Sequence, residues 1–161
     1  MYDQVLELIN PQPGFKLLDV TSHCDGLTQA IAKHLEPFDA ARLAVSQYPG
    51  EHQELMCDID LKIHEVPNYK APFRALPRDN DMVFIRDVLD RHEFPERLIK
   101  AVYTTLANTG DIVIISSKPD QIEQQLELLE RLEFRAGNAI DIWDNISIVT
   151  AKKMHMWGNG L

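Results

Sequence analysis

The chain is poor in cysteine and has no long apolar run. Its two cysteines, Cys24 and Cys57, lie far apart among 161 residues and show no CxxC spacing. This excludes a disulfide framework and favours a reducing compartment. No apolar run approaches the roughly 20 residues that span a bilayer, and the first ten residues lack the basic region and apolar core of a signal peptide. We therefore expect a cytoplasmic protein without a membrane segment.

Basic residues are also scarce. The sequence has 16 Lys and Arg against 25 Asp and Glu, which gives a formal net charge of −9. Nucleic-acid binding depends on clustered Lys and Arg, whereas Lys152-Lys153 is the only basic pair in the chain. Nucleic acid is therefore not among the expected partners.

What the chain does have is the composition of one ordinary globular domain, which we place over residues 1–161. Hydrophobic residues make up 45% and charged residues 25% of the sequence. Short β-like runs alternate with amphipathic helical segments, a pattern typical of an α/β sheet. The β-like runs cover residues 15–20, 42–46, 61–66, 82–85 and 111–115.

Helical spacing and breaker residues divide the rest of the chain. They predict helices over residues 26–35, from Pro95 to a terminating glycine at Gly110, and from Pro119 onward, with a short polar helix around residues 51–56. The chain then shows two β-like runs, 134–143 and 146–151, separated by Asp144-Asn145. That dipeptide indicates a hairpin, so the last two strands should pair antiparallel.

The segment 15–28, FKLLDVTSHCDGLT, has the outline of a nucleotide-binding turn. A buried-type strand containing Asp19 leads through a loop to a helix, an arrangement that points backbone N–H groups and a positive dipole end at a ligand. Such loops usually need several glycines, which allow sharp turns and let the backbone lie close to the ligand. This loop, from Thr21 to Gly26, has one.

The order of elements resembles the class I S-adenosylmethionine-dependent methyltransferases over about residues 14–153. Residues 81–116 (DMVFIRDVLDRHEFPERLIKAVYTTLANTGDIVIIS) look like the family's fourth strand, the loop with a histidine and "PERL", and the fifth strand. Residues 132–152 look like its closing helix end and hairpin. The resemblance implies a three-layer Rossmann-like sandwich of about seven strands, mostly parallel with the last strand antiparallel.

The same resemblance implies S-adenosylmethionine as cofactor and assigns residues to it one by one. Asp19 matches the acid of the first motif, where it would hold the methionine amine. The second motif, an acid that binds the ribose hydroxyls, falls at Ser46-Gln47, where no carboxylate stands. The residues placed at the cofactor are Asp19, Thr21, His23, Asp25, Gly26, Ser46 and Gln47.

The departures from these motifs predict weak cofactor binding. Thr21, His23 and Asp25 fall where the family has glycines, and Gly26 comes one position late. Asp25 would cap the free N–H groups of the following helix with its own carboxylate. Each charge-assisted hydrogen bond lost at the ribose is worth about 1.5–3 kcal/mol, so we expect a dissociation constant in the high micromolar range or worse.

Candidate catalytic residues follow the fourth strand. Arg86, Asp87 and His92 lie where the carboxyl ends of strands line the ligand crevice in open α/β sheets. Each also has a structural interpretation: an internal ion pair or helix cap for the first two, and a structural histidine for the third. His23, Cys24 and Asp25 lack metal-site spacing to any partner, so no metal is expected.

Two main hypotheses for function remain. The first is a small methyltransferase of unknown substrate whose cofactor loop has drifted. The second is a catalytically inactive methyltransferase-fold module for binding or assembly. It would dimerise or contact a protein partner through the C-terminal tail, where Met154, Met156 and Trp157 form an apolar group. A nicotinamide-dependent oxidoreductase is a weaker third hypothesis, since it needs the missing glycines equally.

Overall fold

The computed structural model describes residues 3–51, 53–116, 119–143 and 146–154. The strands are β1 (Lys16–Thr21), β2 (Arg42–Gln47), β3 (Asp60–Glu65), β4 (Asn80–Arg86), β5 (Leu106–Ser116), β6 (Phe134–Trp143) and β7 (Ile146–Lys153). The helices are α1 (Asp3–Leu6), α2 (Gly26–Leu35), α3 (Pro95–Thr105) and α4 (Ile122–Arg131), and a 3-10 turn, Pro119–Gln121, precedes α4. None of the described helices is long and apolar enough to cross a membrane.

The seven strands form one sheet in the order β3-β2-β1-β4-β5-β7-β6. Every neighbouring pair is parallel except those made by β7, which runs antiparallel to both β5 and β6. This confirms the predicted fold class, including the antiparallel pairing of the last two strands. The turn expected at Asp144-Asn145 lies outside the described residues.

Strand alternation sends neighbouring side chains of β1 to opposite faces of the sheet. Leu18 packs in a core with Leu98 and Ile99 of α3, and this core also includes Leu129 of α4. Leu17 packs on the other face with a core that includes Ile31 of α2. The sheet therefore carries α3 and α4 on one face and α1 and α2 on the other. The candidate site described below lies at the carboxyl ends of the parallel strands.

The prediction of a short helix around residues 51–56 is wrong. Residues 51 and 53–56 are not helical, because other segments bind their backbone groups. The amide of Gln53 donates to the carbonyl of Cys24 (2.7 Å). The Gln29 side chain binds both the N–H and the carbonyl of Met56 (2.9 and 2.6 Å). Tertiary hydrogen bonds thus replace the local i to i−4 pattern.

Gly110 does not terminate a helix, which corrects the second local prediction. Helix α3 ends at Thr105, Leu106 is extended, and β5 begins there without a loop. Gly110 lies within β5, where a Cβ would lie 2.9 Å from the carbonyl oxygen of Ala107 and 3.0 Å from that of Asp81. The absence of a side chain at Gly110 therefore allows its backbone to lie close to the backbone of Ala107 and Asp81.

Strand β3 is an edge strand with little cover. Its residues are mostly exposed, and Ile63 retains 49% of its accessible surface. Within the described part of the chain, the segments that precede and follow β3 (53–59 and 66–79) contain no helix. The sheet is consequently open on this side.

Candidate functional site

The centre of the predicted cofactor site is an ion pair between Asp19 and Arg86. The guanidinium binds both oxygens of the carboxylate, with Nη2 2.9 Å from Oδ2 and Nε 3.2 Å from Oδ1. Asp19 is fully buried and Arg86 is 6% exposed. Thr28 donates its hydroxyl to Asp19 Oδ2 (2.8 Å) and also contacts Arg86 Nη2. Both oxygens of the carboxylate are thus bound by the chain itself.

Asp19 and Arg86 are 67 positions apart in sequence, and the strand order brings them into contact. Strand β4 lies directly beside β1 in parallel, and Thr21 is paired with Arg86 at the carboxyl ends of both strands. The chain then turns sharply at Asp87, whose backbone is left-handed (φ 56°), a conformation that Asp tolerates better than most residues. The arginine side chain is thereby directed across the end of β1.

A second carboxylate and a carbonyl complete the hydrogen bonding of Arg86. Its Nη1 donates to Asp25 Oδ1 (2.9 Å), and Nη2 donates to the carbonyl of His23 (2.9 Å). Burial alone would lower the pKa of Arg86, but Asp19 and Asp25 outweigh it and raise that pKa above its usual range. The guanidinium therefore stays charged.

Two side chains of the loop from Thr21 to Gly26 accept hydrogen bonds from nearby backbone amides. Thr21 Oγ1 accepts from the amide of His23 (2.9 Å). Asp25 caps α2 by accepting from the amide of Leu27 (3.0 Å), as the sequence predicts. The N-terminus of α2, which would face an anionic ligand group, is therefore occupied by a carboxylate.

The loop after β2 closes onto this first loop. Gln47 Nε2 donates to the carbonyl of Ser22 (3.0 Å), and the amide of Tyr48 donates to the carbonyl of Thr21 (2.8 Å). A Cβ on Gly50 would lie only 2.1 Å from the Ser22 carbonyl oxygen, so this approach requires glycine. Recesses of about 380 and 510 Å³ both have Gly50 in their walls.

The position expected to bind ribose hydroxyls is built differently from a ribose site. Ser46 is fully buried, and its hydroxyl has no hydrogen-bond partner among the described residues. The Gln47 amide nitrogen is engaged by backbone carbonyls of Ser22 and Tyr48. No carboxylate occupies either position, so the strongest ribose contact is lacking there.

His92 is held on both ring nitrogens. The amide of Phe94 donates to Nδ1 (2.9 Å), so Nε2 carries the hydrogen and faces the carbonyl of Ala71 (3.2 Å). The ring packs edge-on against Tyr48, which stacks on Tyr69. In this arrangement His92 fixes the loop after β3 and presents no free nitrogen to a substrate.

Cys24 belongs to the loop between β1 and α2, and its side chain is buried. Burial, then the charge of Asp19, raises the pKa of its thiol, which disfavours the nucleophilic thiolate. In the described ranges, no group of three or more His, Cys, Asp or Glu side chains is arranged to hold a metal ion.

Comparison with known proteins finds similarity in structure alone. No family model matches the sequence, and no curated protein does. A SAM-dependent methyltransferase from Aquifex aeolicus is similar with a TM-score of 0.74 and 13% identity, over 94% of this chain and 89% of that one.

Two further structures widen the comparison. A complex between the Haloferax volcanii Trm112 methyltransferase activator and a methyltransferase gives a TM-score of 0.70 at 10% identity, over 95% of this chain and 88% of that one. The [4+2]-cyclase SpnF gives a TM-score of 0.69 at 13% identity, over 94% of this chain and 79% of that one. The chain thus has the class I methyltransferase fold, and the same fold also hosts a cyclase.

The residues present do not fit S-adenosylmethionine. The ammonium group of the cofactor would need Asp19, whose two oxygens are bound by Arg86 and Thr28. Its carboxylate would meet Asp25 at the start of α2. Sequence reasoning assigned Asp19 to the cofactor and made Arg86 a catalytic candidate with an internal ion pair as the alternative. It did not identify Asp19 as the partner of Arg86 or the contribution of Thr28. The available signal was two buried strands that carry opposite charges near their carboxyl ends.

Proposed function

We propose that this methyltransferase-like protein is a catalytically inactive binding or assembly module. One observation carries the proposal: Arg86 binds Asp19, the residue that the resemblance assigns to the ammonium group of S-adenosylmethionine. The fold is retained, while the carboxylate that the resemblance assigns to the cofactor is neutralised from within the chain.

The energetic cost of admitting the cofactor supports this proposal. Admitting the ammonium group would break the two charge-assisted hydrogen bonds between Arg86 and Asp19, each worth about 1.5–3 kcal/mol, although Arg86 would keep Asp25. That cost corresponds to roughly two to four orders of magnitude in affinity. The absent ribose carboxylate adds to it.

Under this proposal the three catalytic candidates have structural roles. Arg86 stabilises the loop after β1 through Asp19, Asp25 and the carbonyl of His23. Asp87 turns the chain out of the sheet, and His92 anchors the loop after β3.

The fold neighbours favour a second candidate, a weak S-adenosylmethionine-dependent methyltransferase of unknown substrate. In that case Arg86 releases Asp19 when the cofactor binds, and the predicted dissociation constant stays in the high micromolar range or worse. A nicotinamide-dependent oxidoreductase is not favoured by these neighbours or by the antiparallel β7.

The assembly function would use a protein partner or a second copy of the chain. One structural neighbour was solved with a methyltransferase activator protein, which makes a protein contact a reasonable use of this fold. We place the contact at the C-terminal tail with Met154, Met156 and Trp157, of which the last two lie outside the described residues. The free thiols of Cys24 and Cys57 support a cytoplasmic location.

Calorimetric titration with S-adenosylmethionine and S-adenosylhomocysteine separates the two candidates. We expect no binding tighter than the high micromolar range for the natural chain. Arg86→Met should bind S-adenosylmethionine more tightly, because Asp19 becomes available to an ammonium group. Arg97→Met, which removes an arginine that contacts only the Phe94 ring among its described interactions, is the matched control. A low-micromolar dissociation constant for the natural chain would overturn the inactive-module proposal.

A further inference from the structure

Away from the cofactor crevice, a recess of about 320 Å³ opens on the uncovered side of the sheet. Its floor is apolar and includes Leu18 and Ala44, and its rim carries the cationic side chains of Lys62 and Arg74 together with His64. Ligand pockets commonly begin at about 300 Å³, so the recess suits a small molecule.

The register of the strands produces this arrangement. Ala44 of β2 pairs with Leu18 of β1 on one side and with Lys62 of β3 on the other. Lys62 and His64 are two residues apart on β3, so both point to the same face. The small side chain of Ala44 leaves a depression between its larger neighbours, and Arg74 reaches it from the segment after β3.

The basic side chains on the rim have no partner among the described residues. Lys62, His64 and Arg74 are exposed. The backbone of Lys62 and His64 pairs with β2, but none of the three side chains makes an ion pair or hydrogen bond with the described residues. Asp60 lies on the same face of β3 as Lys62 and likewise forms no ion pair with it. Three unpaired basic side chains around one recess are unexpected in a chain of net charge −9.

The acid of this recess is already neutralised. Among the described residues that line it, Asp79 is the only carboxylate, and it binds Arg42 (2.9 Å) and Lys16 (3.2 Å). Burial would raise the pKa of Asp79, but these two hydrogen bonds outweigh it and hold the pKa below its usual value. Arg42 also lines the recess, and its buried Nε–H has no acceptor among the described residues.

We propose that this recess binds a small phosphate monoester with an apolar or aromatic part, held by Lys62, Arg74 and His64 above the floor of Leu18 and Ala44. Lysine and arginine side chains that line one recess match the charge of a phosphate dianion. The apolar floor matches the organic part of the ester.

This site is separate from the crevice of Asp19 and Arg86. Arg42 and Asn80, which line the recess, are the first residues of β2 and β4, whereas the ion pair lies at the carboxyl ends of the strands. The proposal therefore does not depend on whether S-adenosylmethionine binds.

Calorimetry with phenyl phosphate, inorganic phosphate and phenol tests it on the full chain at low salt. We expect saturable binding of phenyl phosphate, weaker binding of inorganic phosphate and none of phenol. The double variant Lys62→Gln with Arg74→Gln should weaken phenyl phosphate binding at least tenfold. Both side chains are exposed, so the fold should persist, as circular dichroism can check.

The matched control is Lys100→Gln with Arg131→Gln, which removes the same two charges from α3 and α4. It should bind phenyl phosphate as the natural chain does. Equal weakening in both double variants would mean that only overall charge matters, and would overturn the site. Absence of saturable binding by the natural chain at about 10 mM phenyl phosphate, or binding of phenol as tight as that of phenyl phosphate, would overturn it as well.

Discussion

At the scale of single residues, the stability of the buried Asp19 depends on Arg86. Removing the arginine leaves a carboxylate with no accessible surface and no cationic partner. We predict that Arg86→Met lowers the free energy of unfolding by about 3–5 kcal/mol, measured by urea denaturation. Arg97→Met, which loses a cation–π contact with Phe94, should cost about 1 kcal/mol or less.

The double variant Asp19→Asn with Arg86→Met separates pairing from packing. It should be more stable than the sum of the two single changes predicts, with a coupling of about 1–3 kcal/mol, because neither charge is then left buried alone. Strict additivity would contradict the ion pair as the source of the effect.

Tyr48 gives a prediction on pH. The residue is fully buried with its hydroxyl donating to Ala71, and burial, then the neighbouring Tyr69, raises its pKa from 10 to about 12. Between these values the unfolded chain ionises Tyr48 while the folded chain keeps it protonated. The stabilising contribution is therefore complete below pH 10 and falls as the pH rises toward 12.

We expect the difference in unfolding free energy between the natural chain and Tyr48→Phe to shrink by roughly 1.4 kcal/mol between pH 9 and pH 11. Urea denaturation at the two pH values measures it. Tyr103→Phe, which keeps Tyr48, should track the natural chain. A constant difference between the natural chain and Tyr48→Phe would show that the phenol is solvated in the folded state.

At the scale of elements, the contact between the loops after β1 and β2 depends on Gly50. A Cβ there would lie 2.1 Å from the backbone carbonyl of Ser22, and backbone cannot rotate away as a side chain does. We predict that Gly50→Ala destabilises the chain by about 2 kcal/mol or more. It should also expose the amide of Gln53, which binds Cys24, to hydrogen exchange.

Gly137→Ala is the control for this change. Its Cβ would meet only the end of the Leu126 side chain, at 3.1 Å, and that side chain can move. Its effect should be small, and Gln53 should remain protected. If the Gln53 amide in Gly50→Ala stayed as protected from hydrogen exchange as in the natural chain, its hydrogen bond to Cys24 would not depend on the close contact of the loops after β1 and β2.

At the scale of the whole molecule, net charge −9 opposes self-association, so an interface needs an uncharged surface. Met154 is 38% exposed after β7 and begins the apolar tail that contains Trp157. We predict that the full chain forms a dimer and that a chain truncated after Lys153 is monomeric, measured by light scattering at several concentrations.

Truncation at this point leaves β7 complete, including Lys153, whose ammonium binds the carbonyls of Tyr103 and Leu106. Trp157→Ala removes one tail side chain and keeps the rest of the tail. Like the truncation, it should shift the equilibrium toward the monomer. Equal monomeric masses for the full and truncated chains would remove the tail from the assembly proposal.

The sequence by itself determined the seven strands, the helices α2 to α4 and their order, because hydrophobic periodicity is a local property. It gave no signal for α1. Helix α2 begins and ends at the predicted residues 26 and 35, and β6 at 134 and 143. The hairpin pattern also fixed the antiparallel β7, since two strands joined by a short turn must run in opposite directions. These features are enough to predict the fold class.

Only the tertiary structure decided what the site contains. The pairing of Asp19 with Arg86 depends on β1 and β4 being neighbours, and the contact of Gly50 with Ser22 depends on where two loops meet. Residues 53–56 lost their predicted helix for the same reason, because Cys24 and Gln29 bind their backbone groups. Interaction partners that lie far apart in sequence produce no local hydrophobic pattern. These interactions form only when the sheet brings its strand ends together.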